Sequence, residues 1–107
     1  MIVAHYHKSA HLLTIRGHAY SGEPGHDLVC ASASILGYTL ASFVETSRRA
    51  HQVKKPVIRL EPGDTVIACR ARGDNDAAIS LVFDSICAGF LLLAQRYPEN
   101  IVFNVIQ

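Results

Sequence analysis

The residues best placed to do chemistry in this sequence are His18 and Cys30. They lie twelve positions apart, on either side of a short segment that contains glycine and proline. Cys30 is predicted to lie on the first turn of a helix, where unpaired N–H groups and the positive end of the helix dipole favour a thiolate. A histidine brought beside it can act as a base, so the two residues predict a cysteine nucleophile with a histidine general base and acid.

Three further residues are expected to support this pair. Asp27 is the predicted N-cap, because its carboxylate can accept hydrogen bonds from the first turn; it could also orient His18. Cys30 would then be the third helical residue, and the N–H groups near Cys30 and Ala31 are the expected oxyanion donors. Ser34 follows Cys30 by four residues and therefore shares its helix face, where its hydroxyl either contacts the substrate or bonds back to a helix carbonyl.

The segment between the pair is expected to be a loop that folds back on itself. Gly17 ends the strand before His18, and residues 19–26 must then reverse direction for His18 and Cys30 to face one another. Gly22 and Gly25 permit backbone conformations that are closed to other residues. We therefore expect this loop to be mobile without substrate and ordered by it, with Gly25 allowing close approach to the helix start.

Length and composition limit the class of protein. With 107 residues, half of them hydrophobic and 18% charged, the chain is expected to be one globular domain, residues 1–107. A net charge of +1 without a basic run does not suggest a nucleic-acid partner. The alternating residues Met1–His7 do not form a signal peptide, and the apolar run Ala88–Ala94 is too short to span a bilayer. A cytoplasmic protein without a membrane partner is expected.

Five strands and two helices are predicted from periodicity and turn residues. The expected strands are Ile2–His7, His11–Arg16, Val57–Leu60, Thr65–Arg72 and Ile101–Ile106, and the helices run from Asp27 to the basic residues before Pro56 and from Gly73–Asp76 to about Arg96. The order β-β-α-β-β-α-β predicts an α+β fold with two layers, in which one mixed five-stranded sheet packs both helices on one face. The second helix, apolar over more than half its circumference, is expected to be the central buried one.

The motif around the pair resembles the ribosomal-processing cysteine protease family Prp. The resemblance rests on Gly17-His18-Ala19, Gly25, Asp27-Leu28-Val29-Cys30-Ala31 and Ser34, and the element order and Tyr97-Pro98 agree with it. Ser32-Ala33 stands where the family more often has Ala-Val, which leaves the His/Cys pair intact. The resemblance implies a small cytosolic peptidase without a cofactor that removes a short N-terminal extension from protein twenty-seven of the large ribosomal subunit. It also implies a homodimer, and strands that are apolar on both sides agree with a partner subunit covering the sheet.

Two other interpretations remain open from the residues themselves. Six histidines are many for this length, and His5, His7, His18 and His26 with Cys30 could be imagined as a zinc site, although their spacing is not that of a compact ligand set. We therefore expect no metal. The third interpretation is a ribosome-associated module without catalytic activity. An unreactive Cys30 would favour it.

Overall fold

The computed structural model describes residues 1–18 and 24–107, with the side chains of residues 24–27 outside that description. Within it the elements are β1 (Ile2–His7), a 3₁₀ turn (Lys8–Ala10), β2 (Leu12–Gly17), α1 (Pro24–Arg49), β3 (Val53–Glu61), β4 (Asp64–Ala71), α2 (Asp76–Arg96) and β5 (Ile101–Ile106). The strands form one sheet in the order β3-β4-β2-β1-β5. Among the strands that the structure describes, only β1 and β5 pair in parallel, so the sheet is mixed. The predicted α+β fold and its element order are confirmed.

The β1–β2 hairpin brings the end of β2 beside the start of β1. Its antiparallel register pairs Ile2 with Gly17 and His7 with Leu12. Alternate residues of β1 are buried under the helices, as expected for a strand with one covered face: Ile2, Ala4 and Tyr6. His18 follows Gly17 directly, so this register places the histidine at the edge of the helical layer.

The start of α1 differs from the prediction. The helix begins at Pro24, three residues before Asp27, which is therefore a residue of the first turn and not the N-cap. Proline is well suited to the first helical position, because its φ is already helical and its missing N–H would have had no partner there. The sequence prediction treated Pro24 and Gly25 as loop, and that assignment was wrong.

The end of α1 also lies earlier than expected. The helix ends at Arg49, and β3 already begins at Val53, so Lys54, Lys55 and Pro56 belong to a strand. The register shifts between Lys54 and Val57, which marks a bulge at the proline. Proline is tolerated there because β3 is an edge strand, where a missing N–H removes no hydrogen bond within the sheet.

The helix α2 is not the central buried helix that its composition suggested. One stripe of it faces the sheet and is buried, namely Ile79, Phe83, Cys87 and Phe90. Leu81 and Leu92 are 67% and 65% exposed. Both helices lie on the same face of the sheet, so each has an outer side that the rest of the described chain does not cover.

The helix α1 also has an exposed outer side and a buried inner side. Leu28 and Ile35 are exposed on this outer side of α1, whereas Val29, Leu40 and Val44 are fully buried. By length and mean hydropathy alone, residues 28–49 and 76–96 could each cross a membrane, and the core helix of a two-layer domain has the same composition. Here each helix packs a buried stripe against the sheet.

Phe83 is at the centre of the core. Its ring lies 6.1 Å from that of Tyr6 and 5.6 Å from that of His11, measured between centroids. Tyr6 donates a hydrogen bond of 2.7 Å to Asp84 Oδ1. The pKa of the Tyr6 hydroxyl is raised, mainly because the group is buried and also because of this hydrogen bond. In β4 the inward residues are Ile67 and Cys69.

Candidate active site

His18 lies against the turn that joins β3 to β4. Its side chain is exposed, and its ring faces Gly63 in that turn. Gly17, the residue before it, has a φ of +93°, and a Cβ there would overlap the Met1 carbonyl oxygen. A residue with a side chain is therefore excluded at position 17, which explains why the chain enters the site through a glycine.

The cysteine reaches the same place from α1. Cys30, half-buried, lines a cleft of about 440 Å³ together with Ser34 and Tyr38 from the same helix and with His18. The spacing of the three α1 residues, each four positions after the last, puts them on one helical stripe. The structure therefore brings His18, Cys30 and Ser34 to one cavity, as the sequence predicted.

The opposite wall of the cleft is the β3–β4 turn with its flanking residues, Leu60 to Thr65. Two contacts fasten this turn to β2. The Gly17 N–H donates to the Gly63 carbonyl at 3.0 Å, and Arg16 Nε donates to Asp64 Oδ1 at 2.7 Å. The Arg16 hydrogen bond, with Arg59 also nearby, holds the pKa of the Asp64 carboxyl below its usual range.

Cys30 is not in the first turn of its helix. Because α1 begins at Pro24, Cys30 is its seventh residue. In an α-helix the N–H of residue i points to the carbonyl of residue i−4, so the Cys30 and Ala31 N–H groups face the carbonyls of residues 26 and 27. The predicted position, and with it the predicted oxyanion donors at the helix start, are therefore wrong for this structure.

The remaining predicted residues are distributed as follows. Gly25 and Asp27 belong to the first turn of α1 and not to a loop, and Ala31 is exposed without lining the cleft. Gly22 and the rest of 19–23 lie outside the described residues, as does the predicted mobility of that segment. Ser32, not Ser34, donates back to a helix carbonyl, that of Leu28, at 2.8 Å.

The other two cysteines are in apolar surroundings. Cys69 and Cys87 are 2% and 3% exposed. Burial raises the pKa of the Cys69 thiol to about 11, and burial with the nearby Asp84 charge raises that of Cys87 to about 12. At neutral pH both are thiols, which are poor nucleophiles.

The imagined zinc site does not form among the side chains that the structure describes. In β1 the buried residues alternate with Val3, His5 and His7. The two histidines therefore lie on the sheet face away from the helices, and their ring centroids are 6.4 Å apart. Cys30 lies on the helical side. Within the described side chains, no group of three or more histidine, cysteine, aspartate or glutamate residues could hold a metal ion.

Two parts of the cleft were missed by sequence reasoning. Tyr38 could have been found, because it continues the stripe of Cys30 and Ser34 by one more turn. Gly63 lies between two predicted strands, where glycine is a common turn residue. No local signal in the sequence shows that the β3–β4 turn meets His18, since the contact depends on the pairing of β2 with β4.

Known proteins that are similar in sequence to this chain are cysteine proteases. The family model described as cysteine protease Prp matches residues 1–102. The ribosomal processing cysteine protease Prp of Staphylococcus aureus is 31% identical over 90 residues, which cover 82% of this chain and 79% of that protein.

Solved structures agree in fold. The crystal structure of the essential ribosomal processing protease Prp from Staphylococcus aureus with a covalently linked product peptide has a TM-score of 0.72 at 23% identity and covers 98% of this chain and 99% of that one. The structure of the same protease with a substrate peptide has a TM-score of 0.68 at 22% identity, with coverages of 97% and 96%. The family match and the sequence identity show that this chain is a cysteine protease of the Prp family.

Proposed function

We propose that Cys30 is the nucleophile and His18 the general base and acid of an endopeptidase. Its proposed substrate is protein twenty-seven of the large ribosomal subunit, from which it removes a short N-terminal extension. The observation that carries the proposal is the shared cleft: two consecutive elements, the end of β2 and the α1 stripe, present a histidine and a cysteine to one cavity. The Staphylococcus aureus relative is named for ribosomal processing, which supports this substrate class.

The proposed reaction is acyl transfer to sulfur followed by hydrolysis. His18 takes the proton of the Cys30 thiol, and Sγ attacks the scissile carbonyl carbon to give a tetrahedral oxyanion. The C–N bond then breaks as His18 returns the proton to the leaving amine, which leaves a thioester on Cys30. Water, deprotonated by His18, attacks the thioester; Sγ leaves, and the acid product and the resting pair are restored.

The oxyanion requires donors other than the helix start. The N–H groups of Cys30 and Ala31 are directed at carbonyls inside α1, as described above. Ser34 is exposed to the cleft one turn beyond Cys30, and among the described residues its hydroxyl has no hydrogen-bond partner. We assign the Ser34 hydroxyl as one donor to the oxyanion, because an unpaired hydroxyl on the stripe of the nucleophile can turn toward the new charge.

The cleft has the character of a peptide groove. Apolar side chains from four elements line it, namely Ile2, Ile15, Leu60 and Tyr38, and Glu61 also lines it. Apolar walls with few polar groups are typical of sites that bind a peptide side chain. An extended terminal segment of a protein can enter such an open cleft, which agrees with a cut close to a chain end.

The setting of the enzyme is part of the same proposal. We propose a cytoplasmic homodimer that acts on its protein substrate without nucleic acid, membrane or cofactor. The support for a second copy is the number of large apolar side chains that one chain leaves exposed on the outer sides of α1 and α2.

Cleavage of an extended ribosomal protein by matched cysteine variants tests the assignment. Cys30→Ala should fold like the wild type and leave the extension uncut, because it removes the atom that forms the thioester. Cys69→Ala, which removes a buried thiol outside the cleft, should still cut. Intact mass before and after incubation measures both. Cutting by Cys30→Ala would disprove the nucleophile, and a wild-type protein that binds the substrate without cutting it would favour the non-catalytic module.

A further inference from the structure

We infer that Gly63, in the β3–β4 turn, positions the His18 imidazole for the reaction by giving the ring a surface without a side chain to lie against. This inference rests on the proposed role of His18. It makes the β3–β4 turn a third element of the active site, beside the end of β2 and the α1 stripe.

The contact between the two residues is direct. A Cβ built on Gly63 would overlap His18 Nε2 and lie 2.8 Å from Cε1 and 3.2 Å from Cδ2. Separations below 3.0 Å from a Cβ essentially never occur, so any side chain at position 63 displaces the ring. Gly63 also has a φ of +71°, a conformation that side chains disfavour.

The ring has no other described support. Among the residues whose side chains the structure describes, none exchanges a hydrogen bond with the His18 imidazole, whereas catalytic histidines are commonly oriented by such a bond. The imidazole ring nevertheless needs a defined position, because a general base must lie within hydrogen-bond distance of the thiol proton. Contact with Gly63 supplies that position.

The turn itself is held in place on the strand that carries the histidine. The Gly17 N–H donates to the Gly63 carbonyl, so the residue before His18 and the residue under its ring are joined by one hydrogen bond of 3.0 Å. A second hydrogen bond, of 2.7 Å, joins Arg16, which precedes Gly17, to Asp64, which follows Gly63. These two hydrogen bonds fasten the turn that carries Gly63 to the strand end that carries His18.

A matched pair of glycine variants tests the inference. Gly73 also lies in a turn with a positive φ, of 58°, but nothing lies within 4 Å of a Cβ built there. Gly63→Ala and Gly73→Ala therefore bear a similar backbone strain, and only the first displaces His18. We expect kcat to fall by about 100-fold in Gly63→Ala, the scale of a small misplacement of a catalytic group, with KM changed less than about threefold. Gly73→Ala should keep the wild-type kcat.

A spectroscopic measurement separates positioning from a general loss of structure. The imidazole C–H signals of His18, assigned through His18→Ala, should shift in Gly63→Ala, while those of the other five histidines stay at their wild-type positions. If Gly63→Ala folds poorly, Gly63→Asn and Gly73→Asn repeat the comparison, because asparagine tolerates the left-handed conformation but carries the same Cβ.

The outcomes distinguish this inference from the proposed function. An inactive His18→Ala together with a Gly63 variant as active as its Gly73 counterpart would overturn the positioning role and leave the His18–Cys30 pair in place. A His18→Ala protein that cuts like the wild type would overturn the proposed function itself. A loss of kcat in the Gly63 variant with unchanged His18 signals would also reject positioning.

Discussion

Cys30 differs from the other two cysteines in what surrounds its sulfur. It is half-buried at the wall of an open cleft, whereas Cys69 and Cys87 are closed off between helix and sheet with raised thiol pKa values. Nucleophilic reactivity needs both access and a thiolate, and the two buried thiols lack both at neutral pH. Burial therefore separates Cys69 and Cys87 from the proposed nucleophile, because it closes off their sulfur atoms and raises the pKa of their thiols.

Iodoacetamide at pH 7.5 should consequently label Cys30 well before the other cysteines, by about tenfold or more in rate. Labelling is followed by peptide mass mapping over time. In 6 M urea, where burial no longer protects any thiol, the three rates should become similar. Faster labelling of Cys69 or Cys87 in the folded protein would contradict the assignment.

Ser34 and Ser32 offer a second comparison at the scale of single residues. Ser34→Ala should lower kcat by about 100-fold if its hydroxyl donates to the oxyanion, since one such donor contributes about that much. Ser32→Ala should leave kcat unchanged, because that hydroxyl already donates to the Leu28 carbonyl. Steady-state kinetics on an extended substrate peptide measure both. Equal effects of the two variants would remove Ser34 from the mechanism.

Among the elements, the β3–β4 turn has a structural part beside the positioning part that we infer for Gly63. Its ion pairs with Arg16 and Arg59 depend on an ionised Asp64, whose pKa is lowered by the Arg16 hydrogen bond. A carboxyl with a lowered folded-state pKa stabilises the fold above its unfolded value, and this contribution is lost as the pH falls through the folded value.

The urea midpoint of wild type should therefore exceed that of Asp64→Asn by a constant amount from about pH 7 to pH 5, and the difference should shrink below about pH 4. Midpoints of both proteins across this range measure the effect. Glu61→Gln, at the neighbouring exposed carboxylate outside these ion pairs, is the control. A difference that persists unchanged to pH 3 would show that the ion pairs do not fasten the turn.

Phe83 packs α2 against the sheet. Phe83 is fully buried and contacts the rings of Tyr6 and His11. Phe83→Ala should lower the free energy of unfolding by about 3–5 kcal/mol, because it removes a large buried side chain and leaves a cavity. Ser85→Ala, on the exposed side of the same helix, should change it by less than about 0.5 kcal/mol. Urea unfolding followed by circular dichroism gives both values, and equal values would contradict this core.

At the scale of the whole molecule, large apolar side chains are exposed on the strands, as the sequence predicted, and also on the helices: Val57, Ile58 and Leu60 of β3 and Val102, Val105 and Ile106 of β5 are exposed. A partner was expected over strands that are apolar on both sides, and the helices add side chains that are more exposed still, among them Ile35, Leu81 and Leu92. A single chain with this surface would expose apolar area that soluble monomers usually cover.

Light scattering at micromolar concentration should give twice the chain mass of 11.7 kDa. Leu92→Glu, which puts a charge on the outer side of α2, should lower that mass toward the monomer if the second copy packs on the helical layer. Lys54→Glu, at an exposed position on the edge strand, is the charge-changing control. A monomer mass for the wild type would rule out the proposed homodimer of the isolated protein.

The sequence by itself determined the features that arise from local periodicity and chemistry. Alternation predicted β1 and β5, the 3.6-residue pattern and Arg96 predicted the extent of α2, and the motif predicted that His18, Cys30 and Ser34 lie at one site. Each of these depends on neighbours within a few residues, which a linear pattern records.

Tertiary structure decided the features that depend on distant partners. Pro56 lies inside a strand because β3 occupies the sheet edge, and Leu92 is exposed because two helices share one sheet face. Gly63 meets His18 only because β4 pairs with β2 and brings its turn back to the histidine. Residues 45 positions apart are joined there by strand pairing, and no local spacing in the sequence encodes that contact.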